Sequence, residues 1–145
     1  MSTNLEKSLE AERFASTASR REFGIRLARI AAITAIIAIV ILSVVPGTLR
    51  PSIGASGNVE HALAYGGAAF LSALSWKHAR RTVGPVAFSC LAGVAEIVQL
   101  FVPGRHAGFD NWAASTCGAV LGIALAAALV ARRAAIGDPH GRITT

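Results

Sequence analysis

The sequence predicts an all-α fold: an integral membrane bundle of four transmembrane helices, with the N- and C-termini in the cytoplasm. Three observations predict it. Hydrophobic residues make up 53% of the 145 positions and charged ones only 15%, where a soluble domain carries about 25% charge. The charges are clustered, and the stretches between them are alanine, isoleucine, leucine, valine and glycine over roughly the 20 residues that cross a bilayer core. Of the 14 lysines and arginines, 12 fall on one side of a four-span arrangement.

The first span is the uncharged run at residues 30–49, "IAAITAIIAIVILSVVPGTL", with Pro46-Gly47 as its stop. The second, residues 59–76, reads "VEHALAYGGAAFLSALSW", which is short but within the range that spans a core. The third runs over residues 83–102 and the fourth over 111–131. Residues 1–24 form a cytoplasmic tail of mixed charge, either a surface helix or a disordered segment, and 25–132 form the membrane domain. Residues 133–145, with Gly137, Pro139 and Gly141, read as a loose cytoplasmic end. A cleaved signal peptide is the competing reading of the first run. The charged stretch before it and the lack of a small-x-small site after it make that the poorer one.

Orientation follows from the basic residues. Lys7, Arg13, Arg20, Arg21, Arg26, Arg29, Lys77, Arg80, Arg81, Arg132, Arg133 and Arg142 share one side; Arg50 and Arg105 lie on the other. The positive-inside rule makes the first side cytoplasmic. Trp76 then marks the inner interface, and Phe101, Phe109 and Trp112 the outer one. The net charge of +6 is thereby a topology signal. No aromatic-interleaved basic stripe points to nucleic acid. Cys90 and Cys117 sit in apolar runs without metal-site spacing and read as small buried hydrophobes.

This topology gathers the polar groups at the outer helix ends: Arg50, Glu60, His61, Tyr65, Glu96, Gln99, Arg105, His106, Asp110 and Asn111. Glu96 lies six residues inside the third span, about 9 Å along its axis. Gln99 shares its helical face, Tyr65 shares that of His61, and Ser115 that of Asn111. Glu96, Tyr65 and Ser115 are expected at the floor of a pocket, with His61, Arg105, Asp110 and Asn111 near its rim. An ionisable group within a span costs at least ~2.5 kcal/mol on insertion scales, so Glu96 needs a partner. A purely structural role has Arg50 or Arg105 holding it.

Other features have plain structural readings. Asp110 is placed to cap the fourth helix, Pro103-Gly104 to stop the third, and His106 to sit in a solvated loop, with His78 and His140 on the cytoplasmic surface. Ala114, Gly118, Gly122 and Ala126 recur every four residues, a small-residue ridge for close helix packing. No histidine spacing suits a metal, and neither a metal nor another cofactor is expected.

The stretch "EIVQLFVPGRHAGFDNWAASTCGAVLG", Glu96 to Gly122, resembles the VanZ-like membrane proteins of bacteria: a glutamate, a glutamine three residues on, then P-G-R, an aspartate, an asparagine and a glycine-rich last helix. "NVEHALAY", Asn58 to Tyr65, is similar to the family's histidine followed one turn later by tyrosine. The chain departs from the pattern at Gly57 and Asn58, where the family often has Asp-Lys, so a mechanism needing that pair is not expected. The family's asparagine one turn into the last helix falls at Ser115 or is shifted to Asn111. The resemblance implies a small multi-span protein of the bacterial cytoplasmic membrane with a cell-envelope role, in a family named for resistance to the glycopeptide teicoplanin.

Two functions follow as expectations. In the first, the outer pocket binds a membrane lipid or lipid-linked envelope precursor through an anionic or sugar-bearing headgroup. Arg50 and Arg105 grip a phosphate or carboxylate, and Gln99, Asn111 and Tyr65 add neutral hydrogen bonds. In the second, an integral membrane enzyme acts on a lipid-linked phosphate or glycan, with His61, Glu96 or Asp110 in acid-base roles and Arg105 stabilising developing charge. The topology itself is testable in cells. On a cysteine-free background, His106→Cys should react with a membrane-impermeant maleimide in intact cells, and Lys77→Cys only after lysis. The opposite pattern would invert the orientation.

Overall fold

The computed structural model describes residues 2–49 and 51–137, without the side chains of residues 2–6 and 10. Arg50, Pro139, His140, Gly141 and Arg142 lie outside the described residues. Four helices follow in order: α1 (Ser2–Val44), α2 (Gly57–Ser75), α3 (Val83–Gln99) and α4 (Phe109–Gly137), with short 3-10 turns at Gly47–Leu49 and Lys77–Arg80. The described residues contain no strand.

The helix ends follow local chemistry. α1 runs unbroken for 43 residues, because its first half is rich in alanine, glutamate, leucine and arginine and contains no proline. Residues 2–24 therefore continue the first span as one helix. α1 stops at Val44, earlier than residue 49, because Pro46 has no N–H to donate and turns Val45 away from helical geometry. α3 ends at Gln99 rather than 102 and tightens into a last turn, with Phe101 N donating to Val98 O at 3.0 Å and Val102 N to Gln99 O at 3.1 Å. Pro103-Gly104 then reverses the chain, with Gly104 at φ +72°. α4 outruns its expected span at both ends.

The close pair is α2 and α4. A Cβ placed on Gly118 would fall on the carbonyl of Ala62, one on Gly122 on that of Gly66, and one on Gly66 would come within 3.0 Å of Gly118 O. The expected ridge on α4 thus meets a matching one on α2, backbone against backbone. α1 packs on α2 and α3 on α4, while α1 and α3 touch lightly, so the order around the bundle is α1, α2, α4, α3.

The core is built from small side chains: Ala32, Ala68, Ala69, Ala73, Ala92, Ala119 and Ala126 are buried, with Phe88 and Ile123 among the few large ones. Large apolar residues face outward instead, among them Ile33, Ile37, Ile41, Leu63, Val94, Ile97, Leu121 and Leu125. Small inside and large outside is how helices pack where lipid, not water, covers the outer surface. α1 and α4 are each long and apolar enough to cross a membrane, and α3 is a shorter apolar helix. Cys90 and Cys117, expected buried, are exposed and unpaired with each other on outward helix faces, where a weakly polar thiol suits an apolar surrounding.

Replacing Gly118 or Gly122 by valine should cost about 1–3 kcal/mol by overpacking the α2–α4 contact. At Gly67 an added Cβ meets nothing within 4 Å, so Gly67→Ala should be neutral or stabilising by up to about 1 kcal/mol. Thermal unfolding in detergent, followed by circular dichroism, checks the contrast; equal effects at the two kinds of site would contradict this packing.

Candidate functional site

Four helix ends meet at one end of the bundle. Gly47 N donates to Pro103 O at 3.1 Å, and a Cβ on Gly47 would overlap the Gly104 carbonyl. The turn after α1 is thus pressed against the turn after α3. Asn58 Nδ2 donates to Asp110 Oδ2 at 3.2 Å, tying the start of α2 to the start of α4. Between these contacts lies a cavity of about 230 Å³ lined by His61, Gln99, Arg105, His106 and Asn111, with Gly47, Gly57 and Gly104 completing its wall.

Each carboxylate near this cavity is directed elsewhere. Glu60 Oε1 accepts from Ser52 Oγ at 2.6 Å and Ile53 N at 2.9 Å, which folds the loop between α1 and α2. Asp110 holds Asn58 and makes no side-chain cap of its own helix among the described bonds. Glu96, buried, accepts the N–H of Gly108 at 2.8 Å. Gly108 in turn accepts from Trp112 N at 3.2 Å, so it is the residue that starts α4. The buried carboxylate therefore sits at the positive end of that helix, a favourable place for it. One partner is thus this loop amide; of the two arginines the sequence suggested for it, Arg50 lies outside the described residues.

Arg105 closes the end of α1. Its Nε donates to Val45 O at 3.0 Å and its Nη2 to Leu42 O. Pro46 leaves the last carbonyls of α1 without helical donors, and a cation at a helix C-terminus satisfies both their lone pairs and the dipole. The same residue lines the cavity. Asn111 Nδ2 donates to His106 O at 2.9 Å, fixing the loop that carries His106. Gln99 is 2% exposed and borders the cavity, and no side-chain hydrogen bond among the described residues uses its amide.

Beneath the cavity, Ser115 Oγ lies 3.4 Å from His61 Nδ1. Ser115 is buried, held there by the α2–α4 approach one turn away at Gly118. Tyr65, also buried, sets its ring edge-on to Phe88 at 6.5 Å, and its hydroxyl has no hydrogen-bond partner among the described residues.

The cavity wall thus brings together His61, Gln99, Arg105 and Asn111 of the sequence-predicted set. Glu60, Tyr65, Glu96, Asp110 and Ser115 surround it without lining it. His106, expected in a solvated loop, is exposed but lines the wall. Its position two residues beyond Gly104 was the signal, since that turn aims the following residues back over the helix ends. Trp112, expected to mark the outer interface, packs on Gly93 and donates from Nε1 to Ser89 O at 3.1 Å. The open space over a glycine draws the indole inward.

A protein-family model described as VanZ/LLP1 matches residues 3–131. No curated protein and no solved structure matches the chain.

Arg105→Ala should lower stability by about 1–3 kcal/mol, since the carbonyls of Leu42 and Val45 at the end of α1 lose their donors, and Arg105→Lys should recover only part, lacking the planar fork. Glu96→Gln keeps an acceptor for Gly108 and should leave the loop ordered, whereas Glu96→Leu should raise amide exchange at Gly108. Thermal unfolding and hydrogen exchange in detergent read both; slow exchange at Gly108 in the leucine variant would refute this anchoring role.

Proposed function

We propose, from the premise that the chain belongs to the VanZ/LLP1 family, that it is an envelope-lipid binding protein. It spans the bacterial cytoplasmic membrane four times, with both termini inside and the cavity facing outward. There it holds an anionic or glycan-bearing headgroup of a membrane lipid or lipid-linked cell-wall precursor. The observation that carries this reading is the composition of the cavity wall: an arginine, two histidines and two amides, with no carboxylate among the described residues. Summed over the sequence, the outer polar groups look mildly acidic. Sorted by geometry, the acids are used up in fixing loops and helix starts.

The Gln99 amide strengthens it. Its residue is otherwise buried and borders the cavity, so the amide is placed to donate to a ligand oxygen or accept from a ligand hydroxyl. Arg105, already oriented by two carbonyls, needs little reordering to present positive charge to a phosphate or carboxylate. By the family's name, the role extends to tolerance of glycopeptide antibiotics such as teicoplanin, through retention of a precursor at the outer surface.

One observation favours a second reading. Ser115 and His61 stand as a hydroxyl beside a base, the pairing that activates a serine nucleophile or relays a proton. On that reading the protein is an integral membrane enzyme acting on a lipid-linked phosphate or glycan.

Lipid mass spectrometry on protein incubated with an envelope-lipid extract separates the two. Wild type and Ser115→Ala should both retain one unchanged lipid class, and Gln99→Leu should lose it by about tenfold, equivalent to ~1.4 kcal/mol. A product made by wild type and absent with Ser115→Ala would replace binding by catalysis. Retention indifferent to Gln99 would remove the cavity from the function.

A further inference from the structure

A second, apolar space lies near the cavity. Between α1 and α3 runs a groove of about 80 Å³ walled by Ile39, Val40 and Val44 on one side and Leu91, Val94 and Val98 on the other. Ser43 also borders it, but its hydroxyl donates to Ile39 O at 2.7 Å, so no donor is left facing the groove. The two spaces share no lining residue but lie near each other at the ends of α1 and α3. Val98 of the groove is followed directly by Gln99 of the cavity, and Val44 is three residues before Gly47. Arg105 is the joint: it lines the cavity, and its guanidinium holds the carbonyls of Leu42 and Val45, which flank the groove residues of the last turn of α1.

From this proximity, bridged by Arg105, we propose that the occupant is one amphiphilic molecule: an anionic lipid whose acyl chain lies along the α1–α3 groove while its headgroup, beside Arg105, reaches into the cavity. The proposal rests on the headgroup-binding reading above and adds the chain. An apolar groove, then Arg105, then a cavity with neutral amides matches the parts of such a lipid: tail, phosphate, headgroup hydroxyls. A tail held there also keeps the headgroup at a fixed depth, which lowers the entropy lost on binding compared with a chainless anion.

The test uses the full chain in nanodiscs of equal parts phosphatidylethanolamine and phosphatidylglycerol, the latter doped with a form carrying a photoreactive diazirine in its acyl chain. Two quantities are read: label at Val94 and Val98 relative to the outward-facing Leu121 and Leu125 of α4, and phosphatidylglycerol retained after detergent extraction, by native mass spectrometry. Wild type should label the groove preferentially. Gln99→Leu, which alters only the cavity, should lower that preference by about tenfold. Val98→Phe should lower retention to a similar extent. Val94→Phe repeats the test at a residue that is 58% exposed and outside the core. If both phenylalanine variants abolish groove labelling while retention stays at wild-type level, the chain placement is wrong and the headgroup reading stands. If wild type retains no phosphatidylglycerol and labels groove and α4 alike, both readings fall. Cross-linking of two protein copies through Val94 or Val98 would give the groove to a second chain and overturn the proposal.

Discussion

Everything at the polar end depends on two backbones touching. α2 and α4 approach until Ala62 and Gly66 carbonyls occupy the space that side chains on Gly118 and Gly122 would need. Inside lipid there is no hydrophobic drive to bring helices together, so contact area and backbone proximity must supply the attraction. The approach fixes the register of the pair, and the register sets His61 opposite Ser115 and Asn58 opposite Asp110. α1 and α3 are then applied to the outer sides of a pair already defined.

The charged groups show a division of labour that follows from this register. Acids anchor backbone: Glu96 to the start of α4 and Glu60 to the loop before α2. Basic groups close helix ends, Arg105 on α1 and, at the opposite end of the bundle, Arg80 Nη1 on Ala73 O of α2 at 2.7 Å. In both cases the helix dipole and the unpaired terminal groups attract the sign of charge that is found there. The cavity is what remains between these anchors, and its wall is lined by Arg105, two histidines and two amides.

Much of the architecture was legible in the sequence because the signals are local or periodic. Four apolar runs gave four helices, Pro46 and Pro103-Gly104 marked the stops, and the four-residue spacing of Ala114, Gly118, Gly122 and Ala126 gave the close face of α4. The meeting of four polar helix ends followed from counting spans. What the sequence left open was pairing across elements. That Glu96 turns to a loop amide, that Arg105 reaches back some sixty positions to α1, and that Trp112 folds over Gly93 all depend on which small residues leave space, and composition along one helix does not carry that. His106 was missed although the turn at Gly104, two residues before it, was a local signal; its place over the cavity is completed by Asn111, which donates to its carbonyl.

The unbroken run of α1 has a mechanical side. Forty-three residues make a rod of about 65 Å, roughly twice the thickness of a bilayer's hydrocarbon core. One end of this rod is clamped beside the cavity by Gly47 and Arg105, and the described side chains of its first half are exposed. A tilt of about 5° at the clamp displaces the far tip by about 6 Å over such a length. The helix is thus a lever whose short movement at one face of the bundle becomes a larger one at the other.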